Sequence, residues 1–279
     1  MSTLLTRPGY AEVGNSGTAD GQPALLRAKE VHLSEILVEN DGPVRIVTLN
    51  APGRRNALTR EMSAALVDVC DGIDGDPNAG AVVIRANGPS FCSGAHRAVL
   101  SEAGRDPAAS RNVDALSAIY DAFTRVGHLA PPVVVAVRGD VVGAGVNLML
   151  AADLRIVART ARIMTGFLDL GVHPGGGHFT LMARAAGRGA AAALSLFGES
   201  IDGDRAAEIG LAWEALAADQ VEARSIALAA RVGREPRLAR AMAKSFREQL
   251  GPPGVSWPIA LESERGLQMW SLRNTMRLR

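Results

Sequence analysis

Short apolar runs alternate with amphipathic stretches along most of this chain. Ala81–Ile84 and Val133–Val137 are wholly apolar, the pattern of strands covered on both faces. Glu35–Val38 and Val44–Leu49 are β-rich runs flanking Asn40-Asp41-Gly42, which predicts a hairpin. Thr59–Ile73 carries Met62, Ala65, Leu66 and Val69 at helical spacing, with Thr59 as its N-cap. Asn112–Val126 places Leu116, Ile119, Tyr120 and Phe123 on one helical face, with His128 capping the end. Leu154–Val157 and Ile163–Thr165 continue the strands. After Gly175 the pattern turns helical: His178–Ala186, Gly189–Leu196, Arg205–Ile209, Gln220–Val232, Arg237–Leu250 and Trp257–Met276. Strand and helix in alternation predict an α/β core with right-handed crossovers. Met1–Val31, rich in Gly, Ala, Pro and Ser and without a sustained period, reads as a flexible arm, with order expected from Ser34.

Composition narrows the class. Hydrophobic residues make up 47% and charged residues 21% of 279, which is globular. Thirty Lys and Arg balance 29 Asp and Glu, with no basic stripe, so nucleic acid is not an expected partner. The apolar stretches, the longest being Val141–Ala152, are shorter than the ~18 residues a membrane span needs. The first residues lack a cationic segment followed by an apolar run, and two cysteines make no disulfide framework, so a cytoplasmic protein is expected.

Two glycine-rich loops each follow an apolar strand. One runs from Asn87 through Phe91-Cys92-Ser93-Gly94-Ala95-His96. The other is Gly139-Asp140-Val141-Val142-Gly143-Ala144-Gly145, leading into a helix that carries Asn147. Glycines let main chains approach closely, and the free N–H groups of a helix start favour negative charge. Two such loops on adjacent strands are able to aim two amides at one oxygen, an oxyanion hole; ordinary tight turns are the plainer alternative. No dinucleotide or P-loop glycine pattern, nucleophile elbow or H-E-x-x-H occurs, and the five histidines match no standard metal site, so no metal is expected. Cys92 reads as a small buried thiol. His178, after three glycines, reads as a cap of the following helix.

Several ordered motifs then carry a resemblance. Asn50-Ala51-Pro52-Gly53-Arg54-Arg55-Asn56-Ala57-Leu58, Phe91–Ala95, Ala136–Leu148, Leu170–Gly177 and Ala206–Leu211 together resemble the enoyl-CoA hydratase/isomerase family, the crotonase superfamily, from about Ser34 onward. The resemblance implies a ββα spiral core over 34–200, after an extension over 1–33, and a C-terminal helical region over 201–279 used for trimers, often paired as hexamers. It implies an acyl-CoA thioester as ligand, with coenzyme A part of the substrate and no separate cofactor. It sets the oxyanion donors on the amides of Ala95 and Ala144 and CoA contacts along Ala95, His96, Arg97 and Ala98. Arg54 and Arg97 are candidate phosphate partners, with solvated surface arginine as the alternative. Asp140 is a candidate for lining the acyl pocket. The two glutamates of family hydratases align with Asn147 and Phe167. An amide holds a water without taking its proton, and a phenyl ring does neither. Asp169, His173 and His96 are therefore the candidate acids or bases. The expected activity is that of an enzyme stabilising a thioester enolate. The alternatives are a non-catalytic acyl-CoA-binding protein, an enoyl-CoA isomerase, and a hydrolase of a thioester or β-diketone using Asp169 and His173.

Overall fold

The structure, a computed structural model, describes residues 35–249 and 256–277. The expected N-terminal extension lies outside the described residues. Strands β1 (Ile36–Asp41) and β2 (Val44–Leu49) form the hairpin, turning at Gly42 with φ of +55°. Helix α1 (Arg60–Gly75) starts where the sequence places its cap, since the Thr59 side chain accepts a 3.1 Å hydrogen bond from Met62 N–H. It buries Met62, Leu66, Cys70 and Ile73, one face of a 3.6-residue period.

A repeated unit follows, in which a long strand, a short strand and a helix succeed one another. The first comprises β3 (Ala81–Ala86), β4 (Ser90–Cys92), α2 (Arg97–Arg105) and α3 (Ser110–Gly127). The second comprises β5 (Val133–Val137), β6 (Asp140–Val142) and α4 (Ala144–Ala151). The third comprises β7 (Leu154–Ala158), β8 (Ile163–Met164), α5 (Phe167–Leu170) and α6 (His178–Ser195). The chain continues through β9 (Ser200–Ile201), α7 (Gly203–Glu208), β10 (Glu214–Leu216), α8 (Val221–Gly233), α9 (Pro236–Gln249) and α10 (Trp257–Arg277).

The long strands form a six-stranded sheet in the order β1-β2-β3-β5-β7-β10, parallel from β2 onward. The short strands form a second sheet, β4-β6-β8-β9. Every unit thus crosses from one sheet to the other, and the turns between the sheets carry the glycine-rich loops. Val133–Val137 and most of Ala81–Ala86 are buried at the centre of the sheet, where α8 packs directly on β3 and β5. Past the expected boundary at 200, β9 and β10 still join the two sheets.

Three details differ from the sequence reading. The segment Gly139–Gly145 is not wholly loop, since Asp140–Val142 is strand β6. Strand β4 and helix α2 are absent from the elements expected; β4 has three residues, and α2 fully buries only Ala103 and Gly104, with Val99 and Leu100 packed beside them. Gly187, at φ of +81°, breaks α6 where two helices were expected, so the separation is real although the run is continuous. Among the described residues no helix is long and apolar enough to cross a membrane.

Candidate active site

The two glycine loops meet main chain to main chain. A Cβ on Gly145 would stand 2.3 Å from the Cys92 carbonyl oxygen, so only hydrogen fits there. Gly94 has φ of +91°, and a Cβ on it would lie 2.9 Å from Val142 O and 3.3 Å from Ala144 N. Ala95 is pinned on both sides, since Leu58 N–H donates to Gly94 O (2.8 Å) and His96 N–H donates to Leu58 O (2.9 Å). Ala144 opens α4, where a helix has no internal acceptor for its N–H. Among the described residues, neither Ala95 N–H nor Ala144 N–H donates to a backbone carbonyl.

Two adjoining cavities share Ser93, Ala95, Leu100, Val142, Leu170 and Val172. The outer one, about 700 Å³, is lined by Arg54, Arg55, His96, Arg97 and Asp169 among others. The inner one, about 60 Å³, is mostly apolar and is lined by Ala95, Ala144, Asn147, Phe167, Tyr120 and Gln268 among others. The amide-bearing Ala95 stands at their junction.

Behind the inner cavity lies a closed polar chain. Gly175 carbonyl only accepts, so Asn147 donates to it through Nδ2 (2.9 Å) and turns Oδ1 to His178 Nδ1 (2.7 Å). His178 Nδ1 therefore carries the hydrogen, and Nε2 accepts from the Ser195 hydroxyl at 3.0 Å. The imidazole is fully buried, and burial lowers its pKa from 6.5 to about 4, so it is neutral. The Phe167 ring stands edge-on to it, with 4.9 Å between ring centres. His178 is therefore no helix cap. The amides at the start of α6 are capped instead from α10, where Glu264 accepts from Gly177 N–H (2.9 Å) and His178 N–H (3.0 Å).

Comparison with known proteins decides what this arrangement belongs to. The family model described as enoyl-CoA hydratase/isomerase matches residues 39–256. The chain belongs to the enoyl-CoA hydratase/isomerase family. It is 39% identical over 219 residues to the probable enoyl-CoA hydratase EchA14 of Mycobacterium tuberculosis, covering 78% of this chain and 83% of that protein. It is 30% identical to the 2,3-dehydroadipyl-CoA hydratase of Escherichia coli, covering 83% and 89%. Among solved structures, an enoyl-CoA hydratase from Mycobacterium avium subsp. paratuberculosis superposes with a TM-score of 0.74 at 27% identity, covering 86% of this chain and 95% of that one.

Within this crotonase fold the expected site residues separate into two groups. Ala95, Ala144, Asn147 and Phe167 line the inner cavity, and Arg54, Ala95, His96, Arg97 and Asp169 line the outer one. The others fall elsewhere. His173 lines neither cavity; its Nδ1 lies 2.7 Å from Pro174 O and its ring packs edge-on to Phe179. Asp140 lines neither, because Arg162 pairs with it at 2.8 Å, and that hydrogen bond holds its carboxyl below the usual range. Ala98 lines neither, and its N–H donates to His96 Nδ1 (3.3 Å), so His96 serves as the N-cap of α2. Arg54 reaches the outer cavity, but its guanidinium forks onto Glu35, with one arm at 2.6 Å. Arg55 lines the same cavity and was not singled out, although it sits in the Arg54-Arg55 pair. Cys92 is a buried thiol, its pKa pushed up to about 12 by burial.

Glu264 and Gln268 carry no motif. The signal that marks them is two polar residues on the buried face of α10, in register with Leu261 and Leu272. Burial raises Glu264 from 4.5 to about 6, against three backbone N–H groups that lower it. Its effect on stability opposes that of His178. Between pH 6.5 and 4 the unfolded chain protonates His178 while the folded chain does not, so stability falls with pH by about 3 kcal/mol. Between pH 6 and 4.5 the folded chain protonates Glu264 before the unfolded chain does, so stability rises as pH falls. Glu264→Gln keeps an acceptor for the two amides and removes the compensating titration. Its unfolding free energy in urea is expected to drop more steeply than wild type from pH 6.5 to 4.5. An equal or shallower drop refutes the assignment.

Proposed function

We propose that this chain binds a coenzyme A thioester across the two cavities and stabilises negative charge on its carbonyl oxygen with Ala95 N–H and Ala144 N–H. The observation that carries this is the pair of backbone amides without backbone acceptors, carried by two loops in close main-chain contact that both line the inner cavity. The names of the relatives, hydratases of CoA thioesters, support the same class. Removing a proton from the α-carbon of a thioester leaves an enolate whose charge sits on that oxygen. One such donor is worth about 2.7–4 kcal/mol in the transition state. Arg55 and Arg97 suit the phosphates of the coenzyme, since guanidinium pairs well with phosphate. Asp169 is the one carboxylate lining the outer cavity among the described residues and is the proposed acceptor of the α-proton.

The reaction is then an α-proton transfer of the lyase or isomerase kind rather than standard hydration. The positions aligned with the hydratase glutamates hold an amide tied to Gly175 and His178 and a phenyl ring. A hydrolase using His173 is not carried forward, because His173 lines neither cavity. The non-catalytic binding reading keeps one specific support: no carboxylate or imidazole lines the inner cavity. The homotrimer or trimer pair implied by resemblance remains part of this proposal, supported by the exposed stripe Leu238, Met242 and Phe246 along α9.

Calorimetric titration with butyryl-CoA, run beside mass spectrometry of α-proton exchange in D₂O, tests the proposal. Binding with exchange is expected, and Asp169→Asn should slow exchange by roughly 10²–10⁴-fold. Binding without exchange supports the non-catalytic reading. No binding overturns both.

A further inference from the structure

The two cavities differ in chemistry. Arg54, Arg55, Arg97 and Asp169 line the outer one, while Leu116, Ile119 and Phe167 are among the apolar walls of the inner one. A charged coenzyme therefore belongs outside and a hydrocarbon acyl end inside. The inner cavity cannot lengthen at its floor. A Cβ on Gly175 would stand 2.3 Å from Tyr120 Oη and 2.4 Å from Gln268 Oε1, so main chain and side chains already touch there. A Cβ on Gly176 would stand 2.4 Å from Phe123 Cζ. Nor can the cavity widen at Phe167. That ring is 8% exposed and stands edge-on to His178, with 4.9 Å between centres. His178 is held at both ring nitrogens, by Asn147 (2.7 Å) and by Ser195 (3.0 Å), so the imidazole gives the phenyl ring a fixed backing.

We propose that the site admits acyl chains of up to about four carbons and that the Phe167 ring sets this limit. The inference deepens the thioester reading and rests on it. Asp169, the acceptor of the α-proton in that reading, lines the outer cavity and not the inner one. The α-carbon therefore stays at the mouth, beside Ala95, and the carbons beyond it enter. The inner cavity holds about 60 Å³, and a water-sized group takes about 30 Å³, so about two carbons fill it. With the carbonyl carbon and the α-carbon outside, the chain that fits is butyryl. A longer chain would drive Phe167 into His178, and overpacking of this kind opposes binding. Phe167 is also the wall that substitution can move most cleanly. Its ring makes no hydrogen bond, whereas Asn147 and Thr165 are bonded to the carbonyls of Gly175 (2.9 Å) and Leu194 (2.7 Å).

Calorimetry on the full chain with acetyl-, propionyl-, butyryl- and hexanoyl-CoA tests this. Wild type should gain about fourfold in affinity for each carbon from acetyl to butyryl, as each leaves water for the inner cavity. It should then bind hexanoyl-CoA about 10-fold more weakly than butyryl-CoA. In Phe167→Ala the order of the last two should reverse, with hexanoyl-CoA tighter by roughly 10-fold. Phe167→Leu removes less packing, which guards against a failure to fold, and should bring hexanoyl-CoA at least level with butyryl-CoA. Each comparison is a ratio within one protein, so a general loss of affinity in a variant cancels. The inference is overturned if affinity in wild type keeps rising to hexanoyl-CoA, or does not rise from acetyl to butyryl. It is equally overturned if the break after butyryl persists in Phe167→Ala, or in Phe167→Leu where the alanine variant does not fold. Those outcomes leave the thioester reading standing. Binding of none of the four overturns that reading, and this inference with it.

Discussion

Ala144→Pro is expected to slow α-proton exchange in a bound thioester by roughly 10²–10³-fold while leaving the fold intact. The size follows from deleting one of two amide donors. The tolerance follows from position. Ala144 is the first residue of α4, where an N–H has no intrahelical acceptor and where the fixed φ of proline suits the helix. Few sites allow a backbone donor to be removed by substitution with so little damage. Circular dichroism should show an unchanged spectrum, and Ala144→Gly, which keeps the N–H, should retain most of the exchange rate. If the proline variant exchanges at the wild-type rate, Ala144 does not face the carbonyl.

The second large effect is on stability. Asn147→Leu leaves the Gly175 carbonyl and the His178 Nδ1–H buried without partners. Each orphaned group costs about 1–3 kcal/mol, so about 3 kcal/mol is expected in all, and Tm should fall by roughly 6–12 °C for a chain of this size. His178 also loses the group that fixes its tautomer, so Ser195 is left with an imidazole free to reverse its donor and acceptor. Thermal unfolding measures the loss. A shift under about 2 °C would mean that the Asn147 amide contributes little to holding this region.

What the sequence disclosed followed physical range. Val133–Val137 was legible as a covered strand because five adjacent apolar residues admit few other readings. Thr59 was legible because a cap acts within one turn. The glycine loops were legible because close approach of main chains demands glycine, as Gly145 against Cys92 shows. The failures concern partners distant in the chain. His178 looked like a cap from its neighbours, while its ring is taken by Asn147 and Ser195, 31 and 17 residues away. Asp140 likewise sits within a promising motif, yet Arg162, 22 residues away, occupies it. Helix α2 is short, and its apolar face of Val99, Leu100 and Ala103 meets Leu116, Met269 and Leu272, partners that its local pattern does not reveal.

The wall of the inner cavity is completed from far along the chain. Trp257 Nε1–H donates to Gly176 O across 81 residues, and Glu264 accepts from Gly177 across 87. During synthesis the glycine triplet leaves the ribosome well before these groups exist, by roughly 4–16 s at ordinary elongation rates. In that interval Gly175 has Asn147 to hold it, while Gly176 and Gly177 lack the partners that α10 supplies. The nascent chain can assemble its sheets early, but the segment at Gly176 and Gly177 is fastened only when α10 docks.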